Sequence, residues 1–138
     1  MSLLVEVKAF LVAEVPDTGK ITRGFMPGSP DACMALYETG GTALGNDSNV
    51  NTGFAVPGVQ YETPGLQIVV RGVKHDYDVP RARIEAAYQK LAEVQATTLS
   101  GTFYLFIRAQ QPPFFMERDE NERVKFAVNF LCEKEPSA

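Results

Sequence analysis

The chain has 138 residues, of which 45% are hydrophobic and 22% are charged, so it is long enough for one folded domain with its own core. Its net charge of −4 and pI near 5.0 exclude a nucleic-acid-binding protein that relies on a broad basic surface. The two cysteines, Cys33 and Cys132, are too few for a disulfide scaffold and lack metal-ligand spacing, so we expect two buried thiols. A bridge between them is the alternative, and it requires their strands to be neighbours.

The first predicted element is an amphipathic helix over Leu3–Val15. Apolar residues recur there at helical spacing, Ser2 can cap the first turn, and Pro16 ends the run. Three charged residues interrupt the segment, so it is expected to be neither a signal peptide nor a membrane span, and the protein is expected to fold in the cytosol.

A strand is predicted next, within Asp31–Gly41, and it closes on a pair of glycines. Residues 40–58 then show no hydrophobic period and are rich in Gly, Asn, Ser and Thr. Connections of this length in a compact domain are unusual and tend to be functional or mobile. Because a solvated linker would not need isolated apolar residues, we expect Val50, Phe54 and Val56 to contact another subunit.

The middle of the chain predicts a strand over Leu66–Gly72 and then a helix. Asp78 can cap this helix, which is predicted to run to Thr97 with Pro80 tolerated in its first turn. The predicted buried stripe consists of Ile84, Ala87, Tyr88, Leu91 and Val94.

Two strands are predicted near the C-terminus, Thr102–Gln110 and Glu122–Glu135, and the segment between them is interpreted as a connection. Being adjacent in sequence, they are expected to pair as an antiparallel hairpin. The last strand has two faces, the first expected to lie in the core and the second to be available for a partner. The first face is Val124, Phe126, Val128, Phe130 and Cys132; the second is Lys125, Ala127, Asn129, Leu131 and Glu133.

These elements predict one α+β domain over residues 1–138 with a short polar tail at 135–138. The expected architecture is a mixed or mainly antiparallel sheet of about four strands packed with two amphipathic helices.

The sequence contains few residues that could form a catalytic, cofactor-binding or metal-binding site. His75 stands beside two aspartates, but no second His or Cys cluster could complete a metal site. The segment GGTALG lacks the lysine of a P-loop, and DENER, Asp119–Arg123, lacks the pattern of a calcium loop. We therefore predict no catalytic residue, no cofactor and no metal ion.

Two arginines interrupt otherwise apolar strands near their ends. Arg71 and Arg108 are interpreted as candidates for a subunit boundary. The alternatives are a solvated strand end, or an ion pair with Glu133 or Asp119.

Three large apolar residues, Phe114, Phe115 and Met116, follow a double proline in the predicted connection. Consecutive apolar residues in a connection cannot all face one core, so we expect some of them to meet another chain. A local cap over the end of the sheet is the alternative for the two phenylalanines. Together with the long loop, they favour a protein of an assembly.

The order of segments resembles the minor capsid and tail-completion proteins of long-tailed bacteriophages, which include the tail terminators. The resemblance covers nearly the whole chain and is carried by FMPGSPDACMALYETGG, PGLQIVVRG and GTFYLFIRAQQPPFFMERDENERVKFAVNF. The chain departs from the expected pattern at Glu122, where glycine would be expected in the turn.

The resemblance implies a tail-terminator-like subunit that forms a homo-oligomeric, hexameric ring at the head-proximal end of the tail, with no catalysis. Its expected partners are the tail-tube protein and the neck or connector proteins. DNA would pass through the ring as non-specific cargo, and no membrane is involved. The expected location is the virion tail or neck, after assembly in the host cytoplasm. Which neck position the protein takes stays open.

A second hypothesis is a non-catalytic protein-binding module that acts as a monomer or dimer. In that case Phe114–Met116 and the loop around residues 50–56 would form its ligand surface.

Overall fold

The computed structural model describes residues 2–42 and 61–136. Within these residues the elements are α1 (Leu3–Glu14), β1 (Lys20–Arg23), β2 (Cys33–Thr42), β3 (Thr63–Lys74), α2 (Asp78–Ala92), β4 (Gln95–Leu99), β5 (Thr102–Ala109), β6 (Phe114–Arg118) and β7 (Arg123–Lys134). The strands of this described part form one sheet, curled into a half-barrel, in the order β1-β2-β3-β7-β5-β4 with β6 also on β7. Both helices pack on one face of the sheet.

The prediction of about four strands with two helices is wrong, because the described residues hold seven strands and are mostly sheet. The predicted set lacked β1, β4 and β6. β1 has only four residues, too few to show a period. All five residues of β6 are exposed, so this strand has no alternation between an apolar and a polar face.

The second helix is shorter than predicted. It begins at Asp78, with Tyr77 and not Asp78 in the N-cap position, and it ends at Ala92. The last three residues of the predicted helix, Gln95–Thr97, instead begin β4 (Gln95–Leu99), whose two threonines favour extended backbone. Ala96 within β4 has φ +48°, which helix geometry does not allow.

The last strand, β7, lies in the interior of the sheet. β7 pairs antiparallel with β3 on one side and with β5 and β6 on the other. The antiparallel pairing of the two predicted C-terminal strands is therefore confirmed. The face predicted as core is buried from Val124 to Cys132, under the two helices.

β5 and β6 share one edge of β7, end to end. Pro112 and Pro113 separate them, and proline has no N–H to donate to a strand ladder. Across this gap Gln110 donates its N–H to the carbonyl of Asn129 at 2.8 Å. The side-chain oxygen of Gln111 accepts the Asn129 N–H at 3.3 Å. The double proline therefore turns one long strand into two without leaving the opposite backbone of β7 unpaired.

A buried carboxylate joins α1 to β5. Glu6 is fully buried and accepts hydrogen bonds from the hydroxyl of Tyr104, at 2.8 Å, and from the hydroxyl of Thr102. Burial and the hydrogen bond to Glu6 raise the pKa of Tyr104, so its hydroxyl stays protonated and donates.

We expect Tyr104→Phe to lower the free energy of unfolding by about 1–3 kcal/mol, because one Glu6 oxygen loses its donor in the core. Urea unfolding followed by circular dichroism measures this change. The matched control is Tyr77→Phe, since the Tyr77 side chain is about half exposed. Equal stability of Tyr104→Phe and the parent would contradict the prediction.

Candidate functional site

An exposed apolar patch lies on β6. Phe114, Phe115 and Met116 are 38%, 48% and 43% exposed, although each is a large hydrophobic residue. Phe115 stacks edge-on against the buried Phe126, with ring centroids 6.0 Å apart. Tyr77, which is half exposed, also contacts this ring at 5.0 Å. We call Phe114, Phe115, Met116 and Tyr77 the β6 patch.

The β6 patch packs against a buried aromatic ring. Phe126 is almost fully buried, and the guanidinium of Arg81 lies 5.8 Å from its ring centroid. Phe115 and Tyr77 lie on the helix face of the sheet, whereas Phe114 lies opposite Ala127 on the other face. Exposed large apolar residues grouped at one strand edge are typical of a protein-binding site. Sequence reasoning found the three β6 residues and missed Tyr77, because nothing in the sequence shows that the start of α2 lies beside Phe126.

Arg71 lies inside the protomer. Only 3% of the residue is exposed, and it donates to three backbone carbonyls of the connection between β1 and β2. Its Nε bonds the Asp31 oxygen at 2.7 Å, and its Nη2 bonds those of Pro27 and Pro30 at 2.6 Å and 2.9 Å. The described structure thus gives Arg71 a role in holding residues 24–32, while its contact with another subunit stays a prediction.

A second arginine supports the same connection. Arg123 donates to the carbonyl of Gly28 at 3.1 Å and to the carboxylates of Asp31 and Asp119 at 2.9 Å and 2.8 Å. Desolvation would raise the pKa of Asp119, but its hydrogen bonds with Arg123 and Asn121 outweigh this effect and lower it. The connection that carries β1 is therefore fixed from two sides.

Arg108 is exposed on β5, and its guanidinium lies 5.0 Å from the ring centroid of Phe106. It lies opposite Leu131 of β7, on the face of the sheet away from the helices. On that face Ala127 is buried, whereas Asn129 and Leu131 are half-buried. The predicted subunit contacts of Arg108 and of this second face stay predictions.

The other predicted contact residues, Val50, Phe54 and Val56, lie outside the described residues. The structure shows where their segment begins and ends, since Thr42 pairs with Thr63 at the end of the β2–β3 hairpin.

The turn before β7 carries the residue that departs from the expected pattern. Glu122 has φ +62°, a conformation that glycine adopts without strain. Its N–H bonds the Asp119 carbonyl at 3.0 Å, and its carbonyl accepts the N–H of His75 at 3.0 Å. The turn therefore keeps the glycine-like geometry with a glutamate.

Within residues 2–42 and 61–136, no three His, Cys, Asp or Glu side chains gather as a metal site. Cys33 and Cys132 are buried and free. Burial raises the pKa of both thiols, to about 12 for Cys132, which leaves them poor nucleophiles. No helix in the described part of the chain is long and apolar enough to cross a membrane.

Comparison with known proteins gave one family. A family model described as "Bacteriophage tail terminator protein" matches residues 7–136, from within α1 to beyond the end of β7. No curated protein matches the chain.

Proposed function

This chain belongs to the bacteriophage tail terminator family, and on that premise we propose that copies of it form a ring at the head-proximal end of the phage tail. The family makes the protein a component of the virion tail. The proposed ring is hexameric, and its partners are the tail-tube protein on one side and the neck or connector proteins on the other. DNA passes through the ring as cargo that is not read, and the protein catalyses no reaction.

The β6 patch carries this proposal. Three consecutive large apolar side chains are exposed on one strand, which is costly in water for a protein that stays alone. Covering them with another subunit removes that cost and gives the association its driving force.

The charge of the chain agrees with a passage for DNA. The net charge is −4, so the protein as a whole does not attract the phosphate backbone. A ring that must let DNA slide needs weak contacts with it.

The proposal is tested by analytical ultracentrifugation and electron microscopy of the protein, with and without tail-tube protein. We expect rings, either free or at tube ends. We expect the double variant Phe115→Ser/Met116→Ser to lose rings, because it removes two of the four large apolar side chains of the β6 patch. The matched control is Val12→Ser on α1, which removes a side chain that is 61% exposed elsewhere.

Thermal unfolding separates assembly from folding. Val12→Ser should melt within a few degrees of the parent, since its side chain is exposed. Phe115→Ser/Met116→Ser should melt lower, because Phe115 packs on the buried Phe126, so assembly is measured at a temperature where both variants are folded. Monomers or dimers of the parent under all conditions, including tube ends, would overturn the ring and favour the binding-module hypothesis.

A further inference from the structure

Residues that pair across neighbouring strands form rows perpendicular to the strands. Three such rows run from β1, through β2, β3 and β7, to β6. The first row is Lys20, Cys33, Arg71, Lys125 and Glu117, each opposite the next on the neighbouring strand. Side chains of paired residues lie on the same face of a sheet, so each row ends on two residues of one face.

The two ends of each row lie on opposite edges of this part of the sheet. Among the described residues, β1 pairs only with β2 and β6 only with β7, so each has one unpaired edge. Unpaired edges bind other strands unless charged residues, prolines or bulges protect them. The other edge strand, β4, is interrupted by Ala96 with φ +48°. β6 also has a register shift, between Phe115 and Glu117, which leaves Met116 outside the rows, so the chemistry of the row ends decides which edges fit together.

The row ends match chemically in two of the three rows, whereas the third row ends on a polar and an apolar residue, Thr22 and Phe114. The first row ends on a cation and an anion, Lys20 and Glu117. The second row, on the opposite face, ends on two apolar residues, Ile21 and Phe115. Along β1 the charged residue Lys20 precedes the apolar Ile21, whereas along β6 the apolar Phe115 precedes the charged Glu117. The charged and apolar ends therefore match when the two strands run antiparallel.

The charged ends are accessible. Lys20 is exposed and forms no salt bridge with any residue in the described ranges. Glu117 contacts Lys125 at 3.4 Å, but its side chain is 51% exposed and can accept a second cation.

We propose that β6 of one copy pairs antiparallel with β1 of the next copy, in the register that continues these rows. Lys20 then lies opposite Glu117 of the neighbouring copy, and Ile21 lies opposite its Phe115. Because the two edges differ, the contact is heterologous, and repeating it gives a closed ring when the rotation between copies closes. This inference rests on the proposed ring and names the strands that build it.

Charge reversal tests the register. Lys20→Glu and Glu117→Lys each place two like charges at the contact, so we expect each to raise the protein concentration for half-maximal assembly about tenfold or more. The double variant Lys20→Glu/Glu117→Lys exchanges the charges and should restore assembly. Sedimentation velocity over a concentration series measures all three, and unchanged melting temperatures exclude misfolding.

Two controls isolate the contact. Glu93→Lys makes the same charge change at an exposed position after α2 and should assemble like the parent. Thr98→Lys places a charge on the edge of β4 and should also have no effect. Rings that survive both single reversals, or a double variant that is not restored, would overturn the inference while leaving the ring itself intact. Absence of rings in the parent would instead refute the proposed function.

Discussion

Arg71→Met is expected to lower the free energy of unfolding by about 3 kcal/mol, although it keeps most of the side-chain volume. Methionine cannot donate, so three carbonyls of the connection before β2 lose their hydrogen bonds at once. Each carbonyl that stays buried without a donor costs about 1–3 kcal/mol, and the connection must move to reach water. Chemical unfolding in urea measures the change.

The control for Arg71 is Arg108→Met. Arg108 is also an arginine in a strand of the same sheet, but it is exposed and contacts mainly the ring of Phe106. We expect its free energy of unfolding to change by about 0.5 kcal/mol or less. Arg71→Lys should fall between the two, because lysine keeps the charge but not the guanidinium fork. Equal effects at both positions would show that the Arg71 hydrogen bonds do not hold the connection.

The hydrogen bonds of Arg71 to residues 24–32 should affect ring assembly as well as the stability of the fold. These residues connect β2 to β1, the strand that we propose to pair with β6 of the next copy. A partial loss of the Arg71 hydrogen bonds should therefore weaken ring formation before the whole domain unfolds. The same sedimentation series would detect this order of events.

Gly41→Ala is expected to be the second large effect, with a loss of about 3 kcal/mol or more. Gly41 has φ +66°, and a Cβ there would lie 2.2 Å from the Thr63 carbonyl oxygen and 2.6 Å from the Gly65 nitrogen. Both are backbone atoms of the paired strand, so they cannot move aside without breaking the β2–β3 pairing. The register of this pair already shifts between Thr39 and Thr42, where the bulge needs this glycine.

Gly40→Ala is the matched control for Gly41→Ala. A Cβ at Gly40 meets no atom within 4 Å, and its φ is not positive. We expect this variant to be as stable as the parent to about 0.5 kcal/mol. Thermal unfolding of both variants measures the contrast, and a similar loss in both would refute the steric explanation. This end of the β2–β3 pair also bears on the predicted subunit contacts, because the segment with Val50, Phe54 and Val56 starts and ends there.

The sequence by itself determined the elements with strong periodicity. The alternation from Val124 to Cys132 predicted both the strand and its buried face, and the helical spacing after Ser2 predicted α1. The order of segments also identified the family correctly. The last strand, its buried face and α1 depend on neighbours along the chain, so local pattern is sufficient to find them.

The tertiary structure alone decided the number of strands and the composition of the site. β1 and β6 are strands because β2 and β7 supply their hydrogen bonds. Neither segment has an alternation of apolar and polar residues from which a strand could be predicted. The sequence does not show the partners of Arg71, whose guanidinium donates to carbonyls that lie some forty residues earlier in the chain. The same holds for Lys20 and Glu117, which end one row only because three strands from distant parts of the chain lie between them. Contacts between residues far apart in sequence depend on the register of those strands, and pairing of the whole sheet sets that register.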